Sequence, residues 1–215
     1  MEARFGAGLA PQGILKASQT QEIAVEPAAH ISEVVEGAVI ARYADISMDD
    51  FVALAESSAD FLYKCNAAGD VVAMSPKYIH ADVQSIIATH FNIWLSTGAL
   101  PGHGAPTDCL FELEGWRSRP DLAVHPRLGN AVPREAPRFA VEIRSDSNTW
   151  RELRAKAARY LQHGTQMVWL VDTDARSVEV HRADAEVAVF AETDVIEGGA
   201  VLPGFQVAVS ELFPD

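Results

Sequence analysis

Apolar residues recur with two different periods along this chain, and the change of period separates helices from strands. Between Lys77 and Leu95 the apolar positions follow the 3.6-residue period of a helix that packs along one side. Ser75-Pro76 precedes this segment, and Gly98 and Pro101 follow it, as is typical of helix boundaries. The pattern therefore predicts one long helix, after which the period changes to two.

The period of two predicts three strands. Thr107–Leu113 and Arg119–His125 both alternate in the manner of strands, and the Glu114-Gly115 turn between them predicts that they are neighbours in a sheet. A third strand, Arg138–Arg144, follows a proline-rich connection.

A second helix and a second hairpin complete the pattern. Thr149-Trp150-Arg151-Glu152 fits the N-terminal capping box of a helix, and His163-Gly164 ends the apolar stripe that follows. Gln166–Val171 is almost entirely apolar, as in a buried strand, and Val178–Arg182 is predicted to be its hairpin partner. This order predicts an α/β (mixed α+β) fold, with a central mixed β-sheet flanked by helices and added β-hairpins.

The N-terminal part of the chain has a weaker pattern. Residues 1–45 show little periodicity and are predicted to be a poorly ordered tail or an extension that covers a sheet edge, with one strand around Val34–Ile40. Ser47–Asp50 is typical of a capped helix start, and Phe61–Tyr63 with Asp70–Met74 predicts a hairpin. Residues 46–215 are therefore predicted to form a single domain.

Composition limits the class of protein. The chain has 215 residues, of which 48% are hydrophobic, enough for the core of one small enzyme. Cys65 and Cys109 fit neither a zinc-binding spacing nor a redox pair, and so few cysteines are typical of a reducing cytoplasm. No signal peptide or membrane span is recognisable, so we expect a soluble cytoplasmic protein with no membrane partner. Because phosphate-binding loops, serine-hydrolase elbows and dinucleotide-binding fingerprints are also missing, we expect no nucleotide cofactor.

The net charge of −13 argues at first against a nucleic-acid partner. The average conceals an asymmetry, however. Residues 117–159 contain ten Lys and Arg against five Asp and Glu, a local charge of +5, so the remainder of the chain carries −18. The basic segment removes the strongest objection to a polyanionic substrate, although most charge runs are simply solvated surfaces.

Two carboxylates within this basic segment are candidates for metal ligands. Glu142 interrupts the apolar run of the third strand, and a buried carboxylate there needs a cation as its partner. Asp121 occupies the preceding strand, on the face predicted to hold Ala123 and His125, and Glu142 shares its face with Arg144. If the strands pair, two carboxylates, a guanidinium and an imidazole line one patch.

Each of these residues also has a structural interpretation. Glu142 would pair with Arg144 or Arg138 at a sheet edge, and Asp121 would be a turn residue after Pro120. Lys156, beside the apolar stripe of the second helix, would be a solvated side chain unless it reaches over the end of the Glu142 strand.

Several short motifs, in order along the chain, resemble those of a known family. The resemblance covers about residues 47–213 and is to the large bacterial family of restriction-endonuclease-like proteins within the PD-(D/E)XK nuclease superfamily. The motifs are Arg119-Pro120-Asp121, Val141-Glu142-Ile143-Arg144-Ser145, Asp146-Ser147, Ala155-Lys156, Tyr160-Leu161, Gly164, Trp169-Leu170-Val171-Asp172, Val178-Glu179-Val180 and Leu202-Pro203-Gly204-Phe205.

The resemblance implies a restriction-endonuclease-like core that hydrolyses DNA phosphodiester bonds. In such nucleases the two carboxylates, here Asp121 and Glu142, hold Mg²⁺ or Mn²⁺ together with a main-chain carbonyl, here that of Ile143. Arg144 stands where the superfamily usually has its Lys, and Lys156 on the next helix takes over that function. A homodimer is the expected assembly.

The resemblance also implies supporting residues and one departure. His80 matches a family histidine at the start of the long helix, and Tyr160 is a further supporting residue. Where many relatives carry Glu in the first hairpin, this chain has Lys64. The alternative function is therefore a catalytically inactive nuclease fold that acts as a dimerising or partner-binding module.

Overall fold

The structure is a computed structural model that describes residues 39–43, 47, 50, 62–65, 71–74, 77–145 and 148–215. The helices and strands within these residues are, in chain order, β1 (Val39–Tyr43), β2 (Leu62–Cys65), β3 (Val71–Met74), α1 (Tyr78–Ser96), β4 (His103–Gly104), β5 (Phe111–Leu113), β6 (Trp116–Ser118), β7 (Leu122–Pro126), β8 (Phe139–Ile143), α2 (Trp150–Gln162), β9 (Met167–Asp172), β10 (Ser177–His181), β11 (Ala188–Phe190), β12 (Val195–Glu197), β13 (Gln206–Ala208) and a 3₁₀ helix (Val209–Leu212).

A six-stranded mixed sheet forms the centre of the fold, with the strand order β11-β10-β9-β8-β7-β4. Strands β8 and β9 are parallel, and the other neighbours are antiparallel. Parallel neighbours need a crossover connection, which α2 supplies between β8 and β9. The prediction of an α/β fold with a central mixed sheet and added hairpins is confirmed.

The two helices cover opposite faces of this sheet. The buried side of α1 packs in a large aromatic cluster, in which Phe91 stacks on Phe139 and on Phe205 with ring centroids 4.9 and 4.5 Å apart. The buried side of α2 packs in a second cluster, to which the sheet contributes Ala123, Ala140, Val168 and Leu170. The candidate site lies on this face.

The predicted pairing of Thr107–Leu113 with Arg119–His125 is wrong except at Thr107. The turn at Gly115, with φ of +66°, joins β5 to β6 in a separate two-stranded sheet. Strand β7 pairs instead with β8 and β4, and only Thr107 forms a bridge from the first segment to Leu122. The physical reason is Pro120, which has no N–H for a ladder and separates β6 from β7.

The other predicted elements agree with the structure wherever it describes them. Helix α1, hairpins β2–β3 and β9–β10, and strand β8 lie where the pattern predicts them. Helix α2 begins with a capping box in which Thr149 and Glu152 exchange hydrogen bonds. No helix in the described part of the chain is long and apolar enough to cross a membrane.

The N-terminal predictions fall largely outside the described residues. Strand β1 (Val39–Tyr43) pairs with β3 and overlaps only the end of the strand predicted around Val34–Ile40. The remainder of the predicted tail lies outside the described ranges. At the predicted capped helix start, the Ser47 hydroxyl accepts a 3.1 Å hydrogen bond from the Asp50 N–H, and the rest of that helix is not among the described residues.

Candidate active site

Asp121 and Glu142 meet on the α2 face of the central sheet. The antiparallel register that pairs Leu122 with Val141 places Asp121 opposite Glu142, one position further along. Both residues are buried, with 1% and 2% of their surface exposed. Burial of two facing carboxylates requires compensating donors or cations, so their partners determine what the site can do.

The carboxylate of Asp121 is held from two sides. Its Oδ2 accepts a 2.6 Å hydrogen bond from the main-chain N–H of Ile143. Its Oδ1 lies 3.0 Å from Nε2 of His80, a buried residue in the first turn of α1. The main-chain oxygen of Asp121 accepts a 2.8 Å hydrogen bond from the Gln84 amide, one helical turn after His80. Helix α1 therefore helps to fix Asp121 although it packs mainly on the other side of the sheet.

The carboxylate of Glu142 is held by α2. Its Oε1 lies 2.7 Å from Nζ of Lys156 and accepts a 2.9 Å hydrogen bond from the Tyr160 hydroxyl. Lys156 and Tyr160 are four residues apart, so both side chains lie on the same side of the helix. Only 6% of the Lys156 surface is exposed, so the interpretation of this lysine as a solvated side chain is wrong.

Tyr160 links Glu142 to the β5–β6 hairpin. Its hydroxyl is hydrogen-bonded to the Ser118 hydroxyl at the end of β6 as well as to Glu142. Burial raises the pKa of Tyr160 well above its usual value, and the negative charge of Glu142 raises the pKa further. The phenol therefore stays protonated at neutral pH and donates its hydrogen to the carboxylate.

Arg144 and His125 do not join the carboxylates. Arg144 NH1 lies 3.4 Å from Asp172 Oδ2 and 3.5 Å from Asp174 Oδ2, so this guanidinium turns toward β9 and away from Glu142. His125 lies on the same face of β7 as Asp121 but at the opposite end of the strand, against Phe111. The predicted four-residue patch is therefore wrong in these two members.

The alternative ion pairs predicted for Glu142 are also wrong. Arg144 pairs with Asp172, and the Nε of Arg138 donates a 2.6 Å hydrogen bond to the Val201 carbonyl. Instead, Oε1 of Glu142 lies 2.7 Å from Nζ of Lys156, which belongs to the following helix.

Sequence reasoning missed Ser118 and Gln84. Gln84 carried a recognisable signal, because it lies four residues after His80 on the same side of a predicted helix. Ser118 carried a weaker signal. It is a polar residue, and the alternation in β6 assigns its position to the buried face. Lys64 lies in β2, and its side chain is outside the described part of the structure.

Comparison with known proteins assigns the fold to a family. A model of the Uma2 family, described as "Putative restriction endonuclease", matches residues 48–210. The chain belongs to the Uma2 family. The crystal structure of "a putative nuclease belonging to DUF820" from Anabaena variabilis ATCC 29413 is similar to this Uma2 protein, with a TM-score of 0.66 and 21% sequence identity over 78% of this chain and 97% of that chain. No curated protein matches the sequence.

The family match contains the whole candidate site. Asp121, Glu142, Lys156 and Tyr160 all lie within the matched residues 48–210 of this Uma2 protein. At 21% identity the solved structure supports the fold, and the resemblance to restriction-endonuclease-like proteins predicted from the sequence is confirmed.

Proposed function

We propose that this Uma2 protein is a divalent-metal-dependent endonuclease that hydrolyses DNA phosphodiester bonds, with Asp121, Glu142 and Lys156 as its catalytic residues. The observation that most supports the proposal is the 2.7 Å contact between Lys156 and Glu142 beside a second buried carboxylate. A buried acid pair with an adjacent ammonium group suits phosphodiester hydrolysis, in which a metal and a cation act on the same phosphate.

The donor atoms fit Mg²⁺ or Mn²⁺. Two carboxylates, and the main-chain carbonyl of Ile143 that the family resemblance adds to them, are the hard oxygen donors that these ions prefer. The charges of Glu142 and Asp121 both raise the pKa of Tyr160, so the local potential favours a cation. Within the described ranges, no group of three or more His, Cys, Asp and Glu side chains is arranged to hold a metal. The remaining ligands would therefore be water and substrate oxygens, as is usual for Mg²⁺.

The metal, when bound, would lower the pKa of a coordinated water and polarise the scissile phosphate. Lys156 supplies a fixed positive charge close to Glu142. From this position its ammonium group orients the attacking water by hydrogen bonding and offsets negative charge that develops on the phosphate oxygens. Because α2 and its capping box hold this lysine in place, little reorganisation is needed during the reaction.

The supporting residues hold the two carboxylates in position. His80 and the Ile143 N–H fix the two oxygens of Asp121, and Tyr160 fixes Oε1 of Glu142. Arg144, which the family pattern places at the usual lysine position, is held by Asp172. We therefore assign it a positioning role at the start of the β8–α2 connection, and no role at the phosphate.

DNA is the substrate that the family and the local charge favour. The segment 117–159, which contains both carboxylates and α2 as far as Arg159, carries a charge of +5 in an acidic chain. A homodimer in the cytoplasm is the expected context. Sedimentation at several protein concentrations tests the dimer.

A catalytically inactive protein that acts as a dimerising or partner-binding module is the second candidate function. It is favoured by Lys64, which stands where many relatives have a carboxylate. This function predicts a folded dimer whose melting temperature does not respond to Mg²⁺ or Mn²⁺.

The decisive experiment measures nicking of supercoiled plasmid in Mg²⁺ and in Mn²⁺ for the wild type and Glu142→Ala. We expect nicking by the wild type and none by the variant. The matched control is Glu192→Ala, which should nick normally. It removes a carboxylate that lies outside the site and is 2.6 Å from Nε of Arg176. Equal nicking by Glu142→Ala and the wild type would contradict the proposal.

A further inference from the structure

A cavity of about 460 Å³ lies at the β4 edge of the central sheet, at the opposite end of β7 from Asp121. We call it the β7 pocket. Its walls come from β5 and its preceding segment (Cys109, Phe111), from the end of β7 (His125) and from the 127–133 connection (Ala131, Pro133). Its volume lies in the range of roughly 300–1,000 Å³ that is common for ligand sites.

One wall of the β7 pocket, formed by His125, lies on the same face of the sheet as the acid pair. Asp121 and His125 are four residues apart, so their side chains point to the same side of the strand. The distance along the strand is about 13 Å. At about 3.4 Å of helix axis per nucleotide, this distance corresponds to roughly four nucleotides of one DNA strand.

The lining combines flat rings with polar groups at their edges. The rings of Phe111 and His125 make an edge contact with centroids 5.4 Å apart. Nδ1 of His125 lies 2.8 Å from the Pro126 carbonyl, which can only accept, so Nδ1 carries the proton and Nε2 is an acceptor in the neutral ring. Burial raises the pKa of the Cys109 thiol, which stays neutral. Such a lining favours a planar, uncharged ring with hydrogen-bond donors on its edge.

A positive charge stands at the mouth of the pocket. The Arg127 guanidinium lies against Gly104, where a Cβ would come within 3.4 Å of Cζ, and its Nε donates a 3.1 Å hydrogen bond to the His103 carbonyl. Arg127 is exposed, so its guanidinium can contact a phosphate while it remains packed against Gly104.

The outer wall is fixed to the β5–β6 hairpin. The N–H of Glu112 donates a 2.9 Å hydrogen bond to the Pro133 carbonyl, and the Glu112 carboxylate lies 3.3 Å from the Arg134 guanidinium. These contacts hold Pro133, in the wall of the cavity, against β5.

We propose that the β7 pocket receives an unpaired base of the DNA strand that is cut at Asp121 and Glu142, with Arg127 on a neighbouring phosphate. The inference rests on the proposed function and adds that the enzyme acts on DNA with an unstacked base about four nucleotides from the cut. Amino-bearing bases, adenine and cytosine, suit the His125 acceptor, and the rings supply contacts that any base can make.

The test measures equilibrium binding, so that it does not depend on catalysis. Fluorescein-labelled single-stranded oligonucleotides, each with one abasic site at a different position, are titrated with wild-type protein in Ca²⁺, and anisotropy gives Kd. Gel analysis confirms that the strands remain intact. We expect one abasic position to weaken binding by about tenfold, as the loss of one stacked base does, while the other positions change Kd little.

Two variants assign that effect to the pocket. Ala131→Trp, on the exposed wall, should fill the cavity and bind intact and abasic strands equally. Val132→Trp, at the next residue, which does not line the cavity, should keep the wild-type difference. An identical tenfold difference in Ala131→Trp, or no sensitive position in the wild type, would overturn the inference. If the protein nicks plasmid, the proposed nuclease function stands whether or not an abasic position weakens binding. If an abasic position weakens binding but no plasmid is nicked, the base-binding role of the β7 pocket is supported and the proposed nuclease function is contradicted.

Discussion

The main-chain N–H of Ile143 donates a 2.6 Å hydrogen bond to the carboxylate of Asp121, so the residue that follows Glu142 is bonded directly to the opposing acid. The separation of the two acids is therefore set by backbone geometry as well as by side-chain rotamers. Such a connection keeps the carboxylates close before any ion binds, which lowers the cost of assembling a metal site.

Asp121→Asn should abolish metal-dependent stabilisation while preserving the fold. The amide oxygen still accepts from Ile143, but the charge that attracts the ion is lost. A ligand at one hundred times its Kd stabilises a protein by about 2.7 kcal/mol, so the wild-type melting temperature should rise clearly with Mn²⁺. Calorimetric melting with and without Mn²⁺ measures the difference. The control is Asp174→Asn, whose side chain is 82% exposed, and equal rises in all three proteins would count against the site.

Lys156→Met should destabilise the metal-free protein by roughly 3–5 kcal/mol, because it leaves the buried Glu142 carboxylate without its ammonium partner. Glu142→Gln in the same chain should recover most of that loss, since position 142 then carries no charge. Urea unfolding in EDTA measures both. A double variant no more stable than Lys156→Met would show that the ion pair is not the source of the effect. Nicking by Lys156→Met should fall by about a hundredfold or more.

Tyr160→Phe should cost about 1–3 kcal/mol of stability, because Glu142 and Ser118 both lose a buried hydrogen-bond partner. Ser118→Ala should then add little, since Ser118 acts on Glu142 through the Tyr160 hydroxyl. A double-mutant cycle in urea measures this coupling. Additive losses would mean that the two hydroxyls act independently.

Stability should decline in acid through Glu179. Hydrogen bonds from Arg154, at 2.6 and 3.1 Å, lower the pKa of Glu179 below its usual 4.5, and a bond with His181 lowers it further. A lowered carboxyl pKa means that the stabilisation is complete above about pH 4.5 and is lost as pH falls through the folded-state value. The stability difference between wild type and Glu179→Gln should therefore be largest near neutral pH and shrink below pH 4.5. Denaturant unfolding across this range measures it, and a constant difference would contradict the assignment.

Local pattern predicted much of the site. Strand alternation placed Asp121 and Glu142 on one face, and helical spacing placed Lys156 near Tyr160, because both rules depend only on neighbouring residues. Arg144 was harder to place. Its partner Asp172 lies on the parallel strand β9, which a helical crossover joins to β8. The sequence pattern of the two strands does not determine the register in which they pair.

The pairing of the strands around the Glu114-Gly115 turn was predicted wrongly for a similar reason. The pattern predicted Arg119–His125 as the strand that follows this turn, whereas the strand that follows it is β6 (Trp116–Ser118), and β7 comes only after Pro120. The missing N–H of Pro120 ends the first ladder, and only the tertiary structure shows that β7 then joins a different sheet.

The supply of Lys156 by a helix affects how such sites can be recognised in other sequences. Within α2 each added residue rotates a side chain by about 100°, so the four-residue interval between Lys156 and Tyr160 must be kept if both are to reach one carboxylate. The connection between Ile143 and Thr149 is under no such restriction, because connecting segments accommodate insertions. A search for relatives of this site should therefore hold the lysine-to-tyrosine interval constant and let the glutamate-to-lysine gap vary.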